Sequence, residues 1–128
     1  NLVAEASLSK KVHFLGPRKD VASFMKSADL LIHPAREEAA GNIIIEALVS
    51  GLPTLVTSEV GFSSEVLKFR SGTVLEGEFN QNRFNLLLEE SVSDKNLSYV
   101  RSSINNLSDK QYFFSRFKFI ADFIEKTF

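Results

Sequence analysis

Short apolar segments alternate four times with segments of helical periodicity, and this order restricts the fold more than any other feature of the chain. The candidate strands end near residues 15, 33, 57 and 76, and a helical pattern follows each of them. Strand–helix repeats joined by short loops predict a parallel sheet with helices on both faces. Because such sheets bind ligands at the carboxyl ends of their strands, loops 16–19, 34–42, 57–63 and 76–80 are the candidate binding loops.

Individual elements can be placed within this order. The run from Lys11 to Leu15 is rich in β-formers and stops at Gly16-Pro17, which predicts the first strand. The continuous apolar run that ends at His33 predicts a strand buried on both faces. A helix over about 42–50 is apolar almost all round, with Asn42 as its candidate N-cap and Gly51 as its stop.

Composition excludes several classes of protein. The 128 residues contain no cysteine, which excludes disulfides, zinc fingers, iron–sulfur ligation and thiol catalysis. A net charge of -1 argues against a general nucleic-acid binder. No apolar run approaches the roughly 18–20 residues of a membrane span. The chain begins without methionine, in what reads as the end of a helix, so we expect it to be a piece of a longer protein.

The loop that leads into the 42–50 helix carries the strongest chemical signal. Glu38 precedes the helix and Glu46 lies inside it, and the residues between them include Ala39, Ala40 and Gly41. A helix start flanked by small side chains attracts a phosphate, and carboxylates at either end accept hydrogen bonds from hydroxyl groups. A nucleotide-sugar has this layout. The alternative is that Glu38 is a solvated loop charge, whereas Glu46 stands among isoleucines and needs partners.

The same residues resemble the signature of the family-four retaining glycosyltransferases. That signature has two glutamates separated by seven residues, then Ala, then Gly-x-Pro, and its counterparts here are Glu38, Glu46, Ala47 and Gly51-Leu52-Pro53. The flanks agree in order, over about residues 11–93: Phe14-Leu15-Gly16, Ala28-Asp29 before Pro34, and Gly61, Glu65 and Gly72. The variant Glu-Ala-Ala-Gly, with His before Pro-Ala, most resembles the glucosyltransferases of the lipopolysaccharide core.

The resemblance implies a GT-B fold, in which two Rossmann-like domains face a cleft. This chain would be part of the carboxyl-terminal, donor-binding domain, incomplete at its amino end, and would close with carboxyl-terminal helices. It would divide into residues 1–93, the partial nucleotide-sugar domain, and 94–128, the closing helices. The basic pair that grips the diphosphate in the family has no counterpart here, and neither does the amino-terminal domain with the acceptor site.

Site residues follow from the resemblance one by one. Glu38 would be the catalytic residue and bind hydroxyls of the donor sugar, and Glu46 would bind the ribose. The implied donor contacts further include the backbone of Ala40, Gly41, Asn42 and Ile43, and, near the nucleobase, Gly16, Pro17 and Arg18. His33, at a strand end beside the site, is a candidate substrate contact, while His13 is expected to be structural.

The implied reaction is transfer of a hexose, with glucose favoured, from a nucleoside-diphosphate sugar such as UDP-glucose, with retention at the anomeric carbon. The acceptor would be a glycan or the lipopolysaccharide core, held mainly by the amino-terminal domain. No metal and no other cofactor is expected, and the sequence has no Asp-x-Asp metal motif. The alternative function is a non-catalytic nucleotide-sugar-binding or scaffold module with the same fold.

A phenylalanine-rich end completes the pattern. Six of the 12 Phe lie between Phe113 and Phe128, where basic residues are interleaved. One helical stripe, with spacings of 3 and 4, consists of Phe113, Phe117, Ile120, Ile124 and Phe128. One interpretation is a helix that packs on this domain or on the other half of the enzyme. The other is a helix at a membrane surface, which would suit a cytoplasmic enzyme at the inner face of the bacterial inner membrane.

Overall fold

The structure is a computed structural model, and it describes residues 2–107. The phenylalanine-rich helix expected within Asp109 to Phe128 lies outside the described residues. In chain order the elements are α1 (Leu2–Glu5), α2 (Val21–Ser27), β1 (Leu31–His33), α3 (Asn42–Val49), β2 (Thr54–Thr57), α4 (Ser63–Lys68), β3 (Gly72–Leu75), α5 (Gln81–Ser91) and α6 (Asp94–Asn105).

The three strands form a parallel sheet in the order β1-β2-β3, as the strand–helix alternation predicts. All four residues of the central strand β2 are buried. On one face, Leu55 and Leu75 pack against Phe84 of α5. On the other face, Val56 packs against side chains that include Ile44 of α3 and Val66 of α4. The prediction of helices on both faces of the sheet is therefore confirmed.

The predicted first strand is wrong. Residues 11–15 pair with none of β1, β2 and β3, and the side chain of Phe14 is 79% exposed. A β-rich run becomes a strand only when a neighbouring strand completes its hydrogen bonds. The expectation that β1 is buried on both faces is also wrong. Strand β1 lies at an edge of the described sheet. Ile32 in β1 is 44% exposed, so this strand is not buried on both faces.

The start of α3 differs from the prediction by one residue. Gly41, not Asn42, is the N-cap, and it adopts a left-handed conformation with φ of 72°. A side chain is also excluded there, because a Cβ on Gly41 would lie 2.3 Å from Cγ1 of Val60. The end of the helix is as predicted, since α3 stops at Val49 and Gly51 follows with φ of 75°.

Helix α6 packs against α3. Val100 and Ile104 contact Ile45 and Leu48 of α3 in one buried cluster. Arg101 adds a polar contact to this packing. Its guanidinium donates a hydrogen bond, 2.8 Å long, to the carboxylate of Asp29, which lies just before β1. The first of the helices expected after residue 94 therefore packs on the sheet domain itself.

Candidate functional site

The candidate site lies at the carboxyl edge of the sheet, where the loops after β1, β2 and β3 leave their strands. The loop after β1 runs from Pro34 to Gly41 and delivers the chain to the start of α3. The hydroxyl of Thr57, at the end of β2, donates a hydrogen bond to the carbonyl of Ala35. The beginning of this loop is thus anchored to the central strand.

Glu38 is held at this edge through its backbone and its side chain. Its backbone forms a parallel bridge with Val60: the N–H of Glu38 donates to the carbonyl of Glu59 at 3.1 Å, and its carbonyl accepts from Gly61 at 3.0 Å. Its carboxylate Oε2 lies 2.6 Å from Nε2 of His33, the last residue of β1. The two side chains are 39% and 22% exposed, so the pair is accessible from solvent yet partly shielded. Glu38 is therefore a fixed, paired carboxylate and not a freely solvated charge.

Close packing fixes the next part of the loop. A Cβ on Gly61 would lie 2.1 Å from the carbonyl oxygen of Ala39 and 2.9 Å from that of Ala40, so only glycine allows this approach. Ala40 and Asn42 themselves are exposed, and Ile43 is half-buried. A ligand at the start of α3 would therefore meet small side chains and backbone atoms. The backbone N–H dipoles there favour an anion.

Glu46 lies at the beginning of the second turn of α3, beside residues of the core. Its neighbours Ile45 and Ala47 are fully buried. Partial burial raises the pKa of the Glu46 carboxyl above its ordinary value, because desolvation disfavours the charged form. A carboxylate in this position gains most from a ligand that donates hydrogen bonds to it.

Gly16, Pro17 and Arg18 belong to the loop before α2, and all three are exposed. Arg18 makes a two-pronged ion pair with Asp20, with N···O distances of 2.7 and 2.8 Å, and this pairing lowers the pKa of the Asp20 carboxyl. Its guanidinium also lies 4.8 Å from the ring centre of Phe24 in α2. The structure thus brings His33 and Glu38 together at the edge where α3 begins, and it gives Arg18 contacts with the start of α2 instead.

A second group of side chains at the same edge was missed by the sequence reasoning. They line a cleft of about 350 Å³: Arg36, Glu59, Gly77, Glu78 and Phe79. The guanidinium of Arg36 lies 5.6 Å from the ring centre of Phe79. The sequence offered one indication of this cleft: all five residues lie in loops that follow predicted strand ends, where ligands bind to a parallel sheet.

The described residues lack two kinds of feature, a metal-binding cluster and a membrane-spanning helix. Within residues 2–107, no three His, Asp or Glu side chains gather so that they could hold a metal ion. None of the helices described there has the length and apolar character needed to cross a membrane.

Comparison with known proteins agrees with this architecture. A family model described as "Glycosyl transferases group 1" matches residues 1–107. The lipopolysaccharide glucosyltransferase WaaG of Escherichia coli K12 is 33% identical over 124 residues, which are 96% of this chain and 33% of WaaG. A crystal structure of WaaG superimposes with a TM-score of 0.81 at 33% identity, covering 89% of this chain and 31% of that one.

Two further relatives carry other sugars or acceptors in their names. The lipopolysaccharide core mannosyltransferase LpsB of Rhizobium meliloti is 32% identical over 65 residues, 51% of this chain and 18% of LpsB. A D-inositol 3-phosphate glycosyltransferase of Corynebacterium urealyticum is 30% identical over 79 residues, 60% of this chain and 19% of that protein. The chain thus spans about a third or less of the length of these relatives. The extent of the family match and the agreement of the fold together establish that the chain belongs to the glycosyl transferases of group 1.

Proposed function

We propose that the chain is the donor-binding part of a retaining glycosyltransferase that moves a hexose, with glucose as the first candidate, from a nucleoside-diphosphate sugar. The observation that carries the proposal is the fixed carboxylate of Glu38, which His33 holds at 2.6 Å next to the start of α3. A hydroxyl-binding carboxylate beside a helix N-terminus suits a sugar joined to a diphosphate. Membership of the glycosyl transferase family supports the same reading.

Each site residue has a role in this proposal. The Glu38 carboxylate accepts hydrogen bonds from hydroxyls of the donor sugar, and His33 fixes its orientation. The diphosphate side of the donor is received at the start of α3 by the backbone of Ala40, Gly41, Asn42 and Ile43, of which Ala40 and Asn42 are exposed and Gly41 is buried. Glu46 binds the ribose hydroxyls, which compensates the carboxylate for its partial burial. In the same proposal, Gly16, Pro17 and Arg18 lie near the nucleobase.

The chemistry is group transfer at the anomeric carbon with retention of configuration. The bond from that carbon to the diphosphate oxygen breaks with its electron pair on the diphosphate, a bond to an acceptor hydroxyl oxygen forms on the same face of the sugar, and the hydroxyl proton passes to the departing diphosphate. Negative charge builds up on the departing diphosphate, and fixed N–H dipoles at the start of α3 stabilise it without a metal ion.

The acceptor in this proposal is a glycan, with the lipopolysaccharide core as the first candidate. Similarity to two relatives named for lipopolysaccharide synthesis supports that choice. The enzyme would act on the cytoplasmic side of the bacterial inner membrane, where it would meet a membrane-bound acceptor.

The test is transfer of radiolabelled glucose from UDP-glucose to inner-core lipopolysaccharide by the full-length enzyme. We expect Glu38→Gln to lower kcat at least about 100-fold, as removal of a key polar contact in an active site does. Glu37→Gln is the matched control, because Glu37 is the exposed neighbour in the same loop. Unchanged transfer in both Glu38→Gln and Glu46→Gln would contradict the site. Donor binding without transfer by the unmutated enzyme would favour the non-catalytic alternative.

A further inference from the structure

We propose that the cleft between Arg36, Glu59 and Phe79 binds the acceptor saccharide, so that this domain contributes to acceptor recognition. The inference rests on the proposed function and extends it, because the donor residues named above do not line this cleft. Three neighbouring loops supply its walls: Arg36 follows β1, Glu59 follows β2, and Gly77, Glu78 and Phe79 follow β3. The cleft is thus a product of the sheet topology and not of a single loop.

Its position is next to the candidate donor site. Glu59, which lines the cleft, accepts the hydrogen bond from the N–H of Glu38 at 3.1 Å. Arg36 stands two residues before Glu38 in the same loop. The cleft therefore shares a loop edge with the backbone of Glu38, and a second substrate must stand at this edge if sugar is transferred from a donor held by Glu38.

The side chains of the cleft match the chemistry of a sugar. The carboxylates of Glu59 and Glu78 accept hydrogen bonds from hydroxyls, and the guanidinium of Arg36 donates to ring or hydroxyl oxygens. The part of the half-buried Phe79 ring that Arg36 and Phe84 leave exposed supplies apolar surface against which the C–H groups of a pyranose can be buried. A volume of about 350 Å³ lies within the range of small-molecule sites and suits a saccharide unit.

The balance of charge favours a hydroxyl-rich unit over a phosphate. Two carboxylates face one guanidinium among the lining residues, and that guanidinium already lies over the Phe79 ring. A diphosphate would meet more negative than positive charge here, whereas the start of α3 offers it N–H dipoles. The cleft is therefore assigned to the uncharged part of an acceptor and not to the donor diphosphate.

The walls are held in place before any ligand arrives. The Phe79 ring packs against Phe84 of the core, with 5.6 Å between ring centres. Arg83 donates to the carbonyl of Glu76 at 3.1 Å, and the side chain of Asn80 caps α5 by accepting from the N–H of Arg83 at 2.9 Å. Binding to such a fixed wall avoids the entropic cost of ordering the loop.

The experiment separates the Michaelis constants of the two substrates in the full-length enzyme, with UDP-glucose as donor and inner-core lipopolysaccharide as acceptor. For Glu78→Gln and Phe79→Leu we expect the acceptor KM to rise about tenfold, the effect of one lost polar or apolar contact, while the donor KM stays within about twofold. Glu89→Gln, an exposed carboxylate of α5 that does not line the cleft, is the control and should change neither constant. An acceptor KM within about twofold of the unmutated value in both cleft variants would overturn the inference.

Saturation-transfer NMR with the inner-core oligosaccharide provides a readout that does not depend on turnover. We expect saturation of sugar protons by the unmutated full-length protein and its loss in Phe79→Leu. If the unmutated enzyme transfers no sugar, the proposed function fails, and saturation that depends on Phe79 would still support the cleft. Absent saturation, or saturation unaffected by Phe79→Leu, would reject the cleft even where transfer is observed.

Discussion

Nε2 of His33 lies 2.6 Å from Oε2 of Glu38, and this contact ties the last residue of β1 to the loop that leads into α3. A hydrogen bond to an ionised carboxylate is among the stronger polar contacts in proteins. The contact spans five residues of chain and closes the loop on itself. Its consequence is that the Glu38 carboxylate has one preferred direction in the absence of any ligand.

Loss of this contact should impair donor use without removing the carboxylate. We expect His33→Leu to lower kcat/KM for UDP-glucose about 10- to 100-fold, since a hydrogen bond to a charged group contributes about 1.5–3 kcal/mol. His33→Gln should retain most of the activity, because a glutamine amide can place a donor near the position of Nε2. Steady-state kinetics of the full-length enzyme decide this. Equal activity of His33→Leu and the unmutated enzyme would show that His33 does not position Glu38.

The half-buried Glu46 predicts a pH effect on stability. Burial raises the pKa of its carboxyl in the folded state, so the folded protein binds the proton more tightly than the unfolded chain does. The extra stability of the protonated form is fully present at pH values below the ordinary pKa of glutamate. It is lost as the pH rises through the raised pKa of Glu46. The glutamine side chain of the Glu46→Gln variant cannot ionise. The free energy of unfolding of this variant minus that of the unmutated protein should therefore increase as pH rises.

Urea denaturation at several pH values from about 4 to 8 measures this difference. Glu89→Gln, on the exposed side of α5, corrects for the general loss of one carboxylate. A difference between Glu46→Gln and the unmutated protein that stays constant or shrinks over this range would refute the expectation. Addition of UDP should reduce the difference if Glu46 holds the ribose.

The sequence predicted those elements whose apolar pattern agrees with the final packing. A strand was expected to end near residue 57, where β2 ends at Thr57, and a helical pattern was expected after the strand that ends near residue 76, where α5 runs from Gln81 to Ser91. Both carry their own signal, because one is a central buried strand and the other has a single apolar face. Residues 11–15 have as good a β pattern, yet a strand also needs a partner, and periodicity contains no information about partners.

The site was predictable in its parts but not in its contacts. The spacing of Glu38 and Glu46 and the small residues between them predicted a binding site on a loop and the helix after it; the structure has this loop and α3, and the binding site stays a prediction. The His33–Glu38 contact depends on how the loop folds back, which the Val60 bridge and the approach of Gly61 determine. The cleft around Phe79 required the order of the strands, since its residues come from three separate loops. Such side chains become neighbours only through the tertiary fold.

The contrast between central and edge strands predicts unequal costs for shortening their apolar side chains. Leu55 in β2 is fully buried, so Leu55→Ala should lower the free energy of unfolding by about 2–5 kcal/mol. Ile32 in β1 is 44% exposed, and Ile32→Ala should cost less than about 1.5 kcal/mol, because much of its surface already contacts solvent. Urea denaturation of both variants makes the comparison. Equal losses would mean that β1 is covered as completely as β2.

The closest backbone approach in the site predicts an effect on fold and function together. A methyl group on Gly61 would overlap the carbonyl oxygen of Ala39, 2.1 Å from the new Cβ, so Gly61→Ala must push the 38–41 loop away from the sheet. We expect a loss of about 1–3 kcal/mol in stability, as for other overpacked sites, together with an increase of the donor KM. Gly51→Ala is the matched control: its φ of 75° also strains the backbone, yet its Cβ has only Asn105 Oδ1 nearby, at 3.9 Å, at the far end of α3. That control should lose stability and keep the donor KM. A donor KM that rises equally in both variants would mean that the effect reflects general destabilisation, and that the Gly61 contact does not set the position of Glu38.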